Sequence, residues 1–247
     1  AVTEYYEALT TSPFRKQLEE HWGAQLFALA DNQLKGFKPE IIELMQKENK
    51  LTSQYSKLIA SAQIEFDGKT LTLAQLAPYA ESTDRKVRKG AKEAAAKFYE
   101  ANQQELDNIY DDLVKIRHEM ATSLGFKNYV ELGYVNMNRI DYNAEMVAKF
   151  RQQIADYIVP VANKLYERQA ERIGVEKLKH YDEGLNFTTG NANPQGDAAW
   201  IIENGRKMYE ELSPETGAFF NMMLERDLMD VEAKMGKEAG GYCTYLE

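Results

Sequence analysis

Most of the chain shows the three- and four-residue spacing of apolar positions that is typical of helices packed along one face. This spacing holds across residues 41–62, 106–120 and 147–165. Helix-start signals flank such runs, as where Ser213 precedes Pro214, because serine caps a helix and proline suits its first position. The pattern therefore predicts a mostly α-helical fold, built as a multi-helix array.

Two stretches break the helical period with β-type sequence. Residues 64–73 alternate apolar and polar positions on either side of Asp67-Gly68, a dipeptide that favours a tight hairpin turn. Aromatic and β-branched residues near 241–245 follow a glycine-rich bend and predict one late strand. A lone strand leaves its backbone groups unpaired, so we expect its partner earlier in the chain, in sequence beyond it, in another chain or in a bound peptide.

Residues 181–197 form the longest interruption of the helical pattern and are rich in glycine and asparagine. Connections of this length are often functional or mobile. We therefore expect a loop here, followed by two helices that begin near Asp197 and Ser213.

Composition and charge exclude some classes of partner. The 247 residues carry a net charge of −9, which argues against a nucleic-acid-binding surface because that needs clustered positive charge. No apolar run approaches the ~18 residues of a membrane span, so we expect no membrane partner. A single cysteine excludes an internal disulfide and favours a reducing compartment.

One short motif approaches a zinc-binding pattern without completing it. In zinc peptidases a helix carries two histidines four residues apart, with a glutamate after the first. Here His118-Glu119 is followed by Thr122 at the second histidine position, and His21 and His180 are distant in sequence. We therefore predict that this chain binds no metal.

Four stretches resemble oligoendopeptidase F and Pz-peptidase, zinc metallopeptidases related to thimet oligopeptidase. They are YYEALTTSPFRKQLEEHWGAQLF, LGFKNYVELGYVNMNRIDYNAEMVAKFR, LKHYDEGLNF and GRKMYEELSPETGAFFNMMLERDLMDVEAKMGKEAGGYCTY. The resemblance runs nearly end to end, but the family's His-Glu-x-x-His motif is absent. It implies a helical body over residues 1–180. Residues 181–247 would then hold a loop, two helices and an edge strand that leads toward a catalytic domain missing from this chain.

The resemblance also implies a function. The intact protein would be a cytoplasmic zinc metalloendopeptidase that cleaves oligopeptides, with zinc bound in the intact enzyme and none bound by this chain. This chain, inactive by itself, would wall the peptide cleft and present the edge strand to the substrate. The alternative is a non-catalytic helical scaffold or a peptide-binding module.

The candidate substrate-binding residues of the late strand are Gly240, Gly241, Tyr242 and Cys243. An extended peptide can pair with an edge strand, and glycines allow another backbone to approach closely. The alternative is a strand with a structural role only. No local histidine signature accompanies Cys243, so we expect a buried, inert thiol rather than a nucleophile.

Tyr181 and Asp182 form a second candidate pair at the start of the loop. The resemblance places a similar Tyr-Asp pair near the substrate cleft. The alternative is hydrogen bonding at the end of a loop by an ordinary aspartate.

Overall fold

The computed structural model describes residues 2–193 and 195–244 and is predominantly α-helical, which confirms the predicted fold class. The α-helices are α1 (Val2–Thr10), α2 (Arg15–Trp22), α3 (Ala24–Gly36), α4 (Ile42–Ala60), α5 (Leu73–Leu76), α6 (Arg85–Ala101), α7 (Gln103–Ser123), α8 (Tyr129–Asn136), α9 (Ala144–Gln153), α10 (Val159–Ile173), α11 (Ala198–Leu212) and α12 (Pro214–Glu225). Within the described residues, no helix is both long enough and apolar enough to cross a membrane.

The chain divides into two compact units, each assembled from two separate stretches of sequence. The first unit comprises Ala1–Ser56 and Ala101–Leu165, and the second comprises Lys57–Glu100 and Tyr166–Glu247. The boundary predicted at residue 180 stays a prediction for the intact protein.

The core of the first unit forms where α4, α7 and α8 bring their apolar faces together. Its buried members are Ile41, Leu44, Met120, Ala121 and Leu132. Two polar interactions also stabilise this unit. Asn32 donates to the carbonyl of Val135 at 2.8 Å, and the Arg117 guanidinium lies 2.6 Å from a carboxylate oxygen of Glu48.

The core of the second unit forms between a β-hairpin and α6. Strands β1 (Ile64–Phe66) and β2 (Lys69–Leu71) pair antiparallel, and Asp67 and Gly68 both adopt positive φ in the turn, as the sequence predicts. The buried apolar residues are Ile64, Leu71, Leu76 and Ala91. The hairpin thus holds the start of α5 against α6.

The two helices predicted after the loop form a tightly packed pair. The side chain of Ser213 accepts a hydrogen bond from the amide of Thr216 and caps α12, with Pro214 at the first helical position. The rings of Tyr209 and Phe220 stack across the pair at 4.7 Å. A Cβ at Gly217 would meet the backbone of Glu210 at 3.0 Å, so the close approach of α11 and α12 favours a glycine there.

A π-helical turn, Ile154–Ile158, joins α9 to α10. Pro160 follows two residues later. Proline lacks an amide hydrogen and its ring crowds the carbonyl four residues earlier, here that of Asp156, which lies inside the π turn. The π turn therefore accommodates the proline within a continuous helical segment.

The late strand predicted near 241–245 is wrong for the residues that can be assessed. Residues 241–244 have no regular secondary structure, and Tyr245 lies outside the described residues. Within the described part of the chain, the sheet consists of β1 and β2. Residues 241–244 therefore lack the ladder that would hold them as a strand. The expected burial of Cys243 is also wrong, because its thiol is exposed.

Candidate functional site

Asp182 lies at the centre of a buried ion-pair cluster in the second unit. Arg85 donates to both carboxylate oxygens, through Nε at 3.0 Å and Nη2 at 2.7 Å. Arg88 donates to Oδ1 at 2.8 Å, and the backbone amide of Lys179 donates to Oδ2 at 3.0 Å. Asp182 is 0% exposed, so four hydrogen bonds within the protein occupy its carboxylate.

The electrostatics of this cluster keep Asp182 ionised. Burial by itself raises the pKa of the carboxyl, but hydrogen bonds from Arg85 and Arg88 outweigh it and lower the pKa to about 2. Arg88 is only 2% exposed and also donates to the carbonyl of Ser82 at 2.8 Å. Its Nε lacks a hydrogen-bond partner among the described residues. A carboxylate that is hydrogen-bonded in this way and has a low pKa stabilises the fold and is poorly suited to proton transfer.

Tyr181 supports the same cluster from its outer side. The guanidinium of Arg85 lies 5.4 Å from the centre of the Tyr181 ring, a distance typical of a cation–π contact. The Tyr181 ring also meets that of His180 edge-on at 5.3 Å. The structure thus brings the predicted pair Tyr181 and Asp182 together on Arg85, at the N-terminal end of α6.

The loop that follows is anchored by amide side chains. Gln169 is buried in α10 and donates to the carbonyls of Glu183 and Leu185, at 3.0 and 2.7 Å. Asn191 donates to the carbonyl of Gly184 at 2.6 Å and to Glu81 at 3.0 Å. Residues 182–191 are therefore held in place, although their composition is typical of a mobile loop.

The other predicted site residues lie in residues 228–243, which we call the glycine segment. It begins with a hydrogen bond from the amide of Leu228 to the carbonyl of Met223 at 2.9 Å. Lys237 closes a loop within the segment by donating to the carbonyls of Asp230 and Glu232 at 2.6 and 2.8 Å. The segment is thus organised by its own backbone and charges, with little apolar burial.

The glycine segment borders the start of α5 across a hollow of about 130 Å³. Thr72, Leu73 and Ala74 line one side of the hollow, and residues 231–234 and 237–240 line the other. Gln75 spans the gap by donating from Nε2 to the carbonyl of Ala233 at 3.1 Å.

The four predicted substrate-binding residues are accessible at the end of this segment. Gly240 lines the hollow and has a φ of +94°, a conformation that favours glycine. Gly241 and Cys243 are exposed, and Tyr242 is 80% exposed. Their backbone groups lie outside helix and strand and can pair with an extended chain.

Among the described residues, no group of three or more histidine, cysteine, aspartate and glutamate side chains is placed to hold a metal ion. His118, the residue of the incomplete motif, is exposed, and its carbonyl accepts a hydrogen bond from Thr122 at 3.1 Å.

Sequence reasoning missed Arg85, Arg88 and Gln75. A signal for Arg88 was present, because it continues the three- and four-residue spacing of Ala91, Ala95 and Phe98 on the buried face of α6. An arginine at such a position needs a buried acidic partner. The sequence carried no comparable signal for the contact of Gln75 with Ala233, which are 158 residues apart.

Comparison with protein families gives a direct assignment. The profile described as peptidase family M3 matches residues 78–187, and the profile of the peptidase M3 N-terminal domain matches residues 1–37. The chain belongs to peptidase family M3. The resemblance seen in the sequence is thereby confirmed at the level of the family.

Solved structures are similar to the M3 chain over nearly its whole length. Pz peptidase A, solved with an inhibitor, is 62% identical with a TM-score of 0.92, and the match covers 99% of this chain and 43% of that one. A protein named as an oligoendopeptidase F is 59% identical with a TM-score of 0.93, covering 99% and 43%. Another so named, from Bacillus anthracis strain Ames, is 57% identical with a TM-score of 0.91, covering 98% and 45%.

The M3 chain therefore spans less than half the length of these three structures. A search of curated protein sequences found no match to it.

Proposed function

We propose that the chain is part of a cytoplasmic, zinc-dependent endopeptidase that cleaves oligopeptides. The observation that carries this proposal is the 62% identity, over 99% of the chain, to Pz peptidase A. At that identity the fold and the general class of chemistry are expected to be shared. Zinc and its ligands belong, in this proposal, to sequence outside the 247 residues.

The role proposed for this chain is to wall the peptide cleft and hold the substrate backbone. Gly240, Gly241, Tyr242 and Cys243 provide exposed backbone donors and acceptors, and the two glycines leave room for a second chain. A peptide bound here would complete the strand that the described residues do not form by themselves. Backbone pairing makes few demands on sequence, which suits an enzyme that acts on many oligopeptides.

The loop would support this site indirectly. Because the carboxylate of Asp182 is fully used by Arg85, Arg88 and Lys179, it contributes by fixing the loop rather than by contacting a peptide amine. Tyr181 is half-buried whereas Asp182 is buried, so Tyr181 is the member of the pair better placed to touch substrate.

Proline substitutions in the intact protein test the backbone-pairing role. We expect Tyr242→Pro to lower the kcat/KM for a quenched oligopeptide roughly fivefold or more, because proline removes a backbone donor. Tyr242→Ala keeps that donor and should change it far less. Gly241→Pro and Gly241→Ala form a second matched pair, since a Cβ at Gly241 meets no described atom within 4 Å. Circular dichroism and zinc content verify folding of every variant.

Equal activity of both proline variants and the parent would leave these residues with a structural role only. Cys243→Ser tests whether the thiol takes part in the reaction. A thiol outside the reaction leaves activity nearly unchanged, whereas a nucleophilic thiol would make the variant inactive.

The proposal as a whole is separated from a non-catalytic helical scaffold by two measurements. The coding sequence downstream of Glu247 should contain His-Glu-x-x-His, and the intact protein should hold zinc and cleave oligopeptides. The 247-residue chain by itself should do neither. An intact protein that binds peptides without zinc-dependent cleavage would favour the scaffold.

A further inference from the structure

Gln75 uses both ends of its side-chain amide. Its Oε1 accepts from the backbone amide of Thr72 at 3.1 Å, while its own backbone amide donates to Oγ1 of Thr72 at 3.1 Å. This reciprocal capping box fixes the orientation of the Gln75 side chain. With Oε1 committed to the cap, Nε2 is directed outward and donates to the carbonyl of Ala233 at 3.1 Å.

The glycine segment has few apolar contacts that could position it instead. Between residues 231 and 240 the side chains are exposed apart from the half-buried Lys237. Val231 is 59% exposed and Met235 44% exposed. The hollow of about 130 Å³ also keeps this segment from close packing against the start of α5. A directional hydrogen bond therefore has more influence on its position than burial does.

We infer that Gln75 is a positioning residue for the glycine segment, and through it for Gly240–Cys243. The capping box belongs to a rigid part of the second unit, next to Leu71 and Leu76 of its core. The hydrogen bond from Gln75 fixes the position of Ala233 relative to this core, and Ala233 lies seven residues before Gly240. The effect on peptide cleavage rests on the proposed function, whereas the effect on the segment itself does not.

Hydrogen exchange on the 247-residue chain tests the positioning directly. Gln75→Glu keeps an acceptor for the cap, and glutamate is favoured at this capping-box position, but its carboxylate lacks the donor to Ala233 at pH 7. We expect amides of residues 233–243 to exchange roughly two- to tenfold faster in this variant, the range for loss of one hydrogen bond. The amides of α5 and of β2 should keep the protection of the parent.

Thr72→Val is the matched control. It removes the hydroxyl acceptor of the cap and leaves the Nε2 donor of Gln75 in place. If Gln75 positions the segment through its donor, Thr72→Val raises exchange at α5 more than at residues 233–243. Two outcomes would overturn the inference. One is parent-like exchange of residues 233–243 in Gln75→Glu, and the other is equal acceleration there in both variants.

Kinetics of the intact protein extend the test to function. Gln75→Glu should raise the KM for an oligopeptide roughly two- to tenfold with kcat nearly unchanged, because a segment that is less well positioned weakens binding of ground state and transition state alike. Faster exchange together with a parent-like KM would confine Gln75 to a structural role and overturn the functional part. If the parent itself cleaves no oligopeptide, the proposed function fails, and the exchange data still decide whether Gln75 positions the segment.

Discussion

The loop at residues 182–191 and the glycine segment at residues 228–243 are both irregular, but they are held in the structure in different ways. Both lack helix and strand, and both carry residues that the sequence marks as candidate sites. In the loop, Asp182 and Leu185 are buried, Arg88 of α6 binds the Asp182 carboxylate, and Gln169 of α10 binds the Leu185 carbonyl. In the glycine segment nearly every residue is exposed, and its contacts are mainly with itself.

The side chains that contact each stretch account for much of this difference. Glycine and asparagine allow a chain to leave regular structure, but they do not decide whether it is mobile. Gln169, buried on the preceding helix α10, and Arg88, buried on the distant helix α6, hold one irregular stretch in a fixed position. Gln75 holds the glycine segment through an exposed hydrogen bond to Ala233, which is a weaker interaction.

The largest loss of stability is expected from removing the negative charge of Asp182, which anchors the loop to Arg85 and Arg88. Asp182→Asn keeps the shape of the side chain but leaves Arg88 buried without an ionised partner. Loss of one member of a buried ion pair typically costs about 3–5 kcal/mol in the free energy of unfolding. Urea unfolding followed by circular dichroism measures this loss.

Asp230→Asn in the glycine segment provides the matched control. Asp230 also pairs with two cations, Lys234 at 2.8 Å and Lys237 at 3.2 Å, but it is exposed. Exposed pairs contribute little, so this variant should unfold close to the parent. Similar losses for the two variants would mean that burial does not distinguish the two regions.

Acid should lower the free energy of unfolding by reducing the contribution of Asp182. We expect this effect to be smaller than that of Asp182→Asn. The pKa of Asp182 is depressed to about 2 in the folded chain, compared with about 3.9 for an unfolded aspartate. Its contribution is therefore complete above the unfolded pKa and is lost as the pH falls from about 4 toward 2. The pKa difference corresponds to roughly 2–3 kcal/mol.

The measurement is the difference in unfolding free energy between the parent and Asp182→Asn as a function of pH. This difference should shrink as the pH falls, because only the parent loses the contribution. A constant difference across that range would show that Asp182 keeps an ordinary pKa. Taking the difference removes the effect of other carboxyls with lowered pKa, such as Asp31 and Glu203.

The smallest effect is a contrast in backbone protection within the unmodified chain. Amides of Leu185, Asn186 and Gly190 donate hydrogen bonds within the loop. These amides should exchange at least about tenfold more slowly than the amides of residues 238–243. Equal exchange would remove the distinction between a fixed loop and an exposed segment. Mass spectrometry of peptides from the two stretches provides the comparison.

Features set by neighbouring residues were predictable from the sequence. Asp67-Gly68 supplies both positive φ angles of the hairpin, and Ser213-Pro214 starts α12 where it was expected. Gly23 was not recognised as a break, although its φ of +90° separates α2 from α3. A glycine can thus separate two helices without any further signal in the sequence.

Features that depend on distant residues were less accessible. The late strand was inferred from local β propensity, but a strand also needs a place in a sheet, and the sheet of the described residues consists of β1 and β2. Tyr181 and Asp182 were identified through family resemblance. The helical spacing of α6 could mark Arg88 as buried, but nothing in the sequence pairs Arg85 and Arg88 with Asp182, which is more than ninety residues away. Charge pairing at such distances leaves no periodic pattern in the sequence.

The exposed thiol of Cys243 allows a probe to be attached to the weakly anchored glycine segment. It is the sole cysteine in the 247 residues, so a maleimide fluorophore or a nitroxide spin label would attach at one position without mutagenesis. Such a probe would sit beside Tyr242, at the end of the segment where a peptide is proposed to bind. Changes in its anisotropy or line shape would then report on the ordering of that segment in real time.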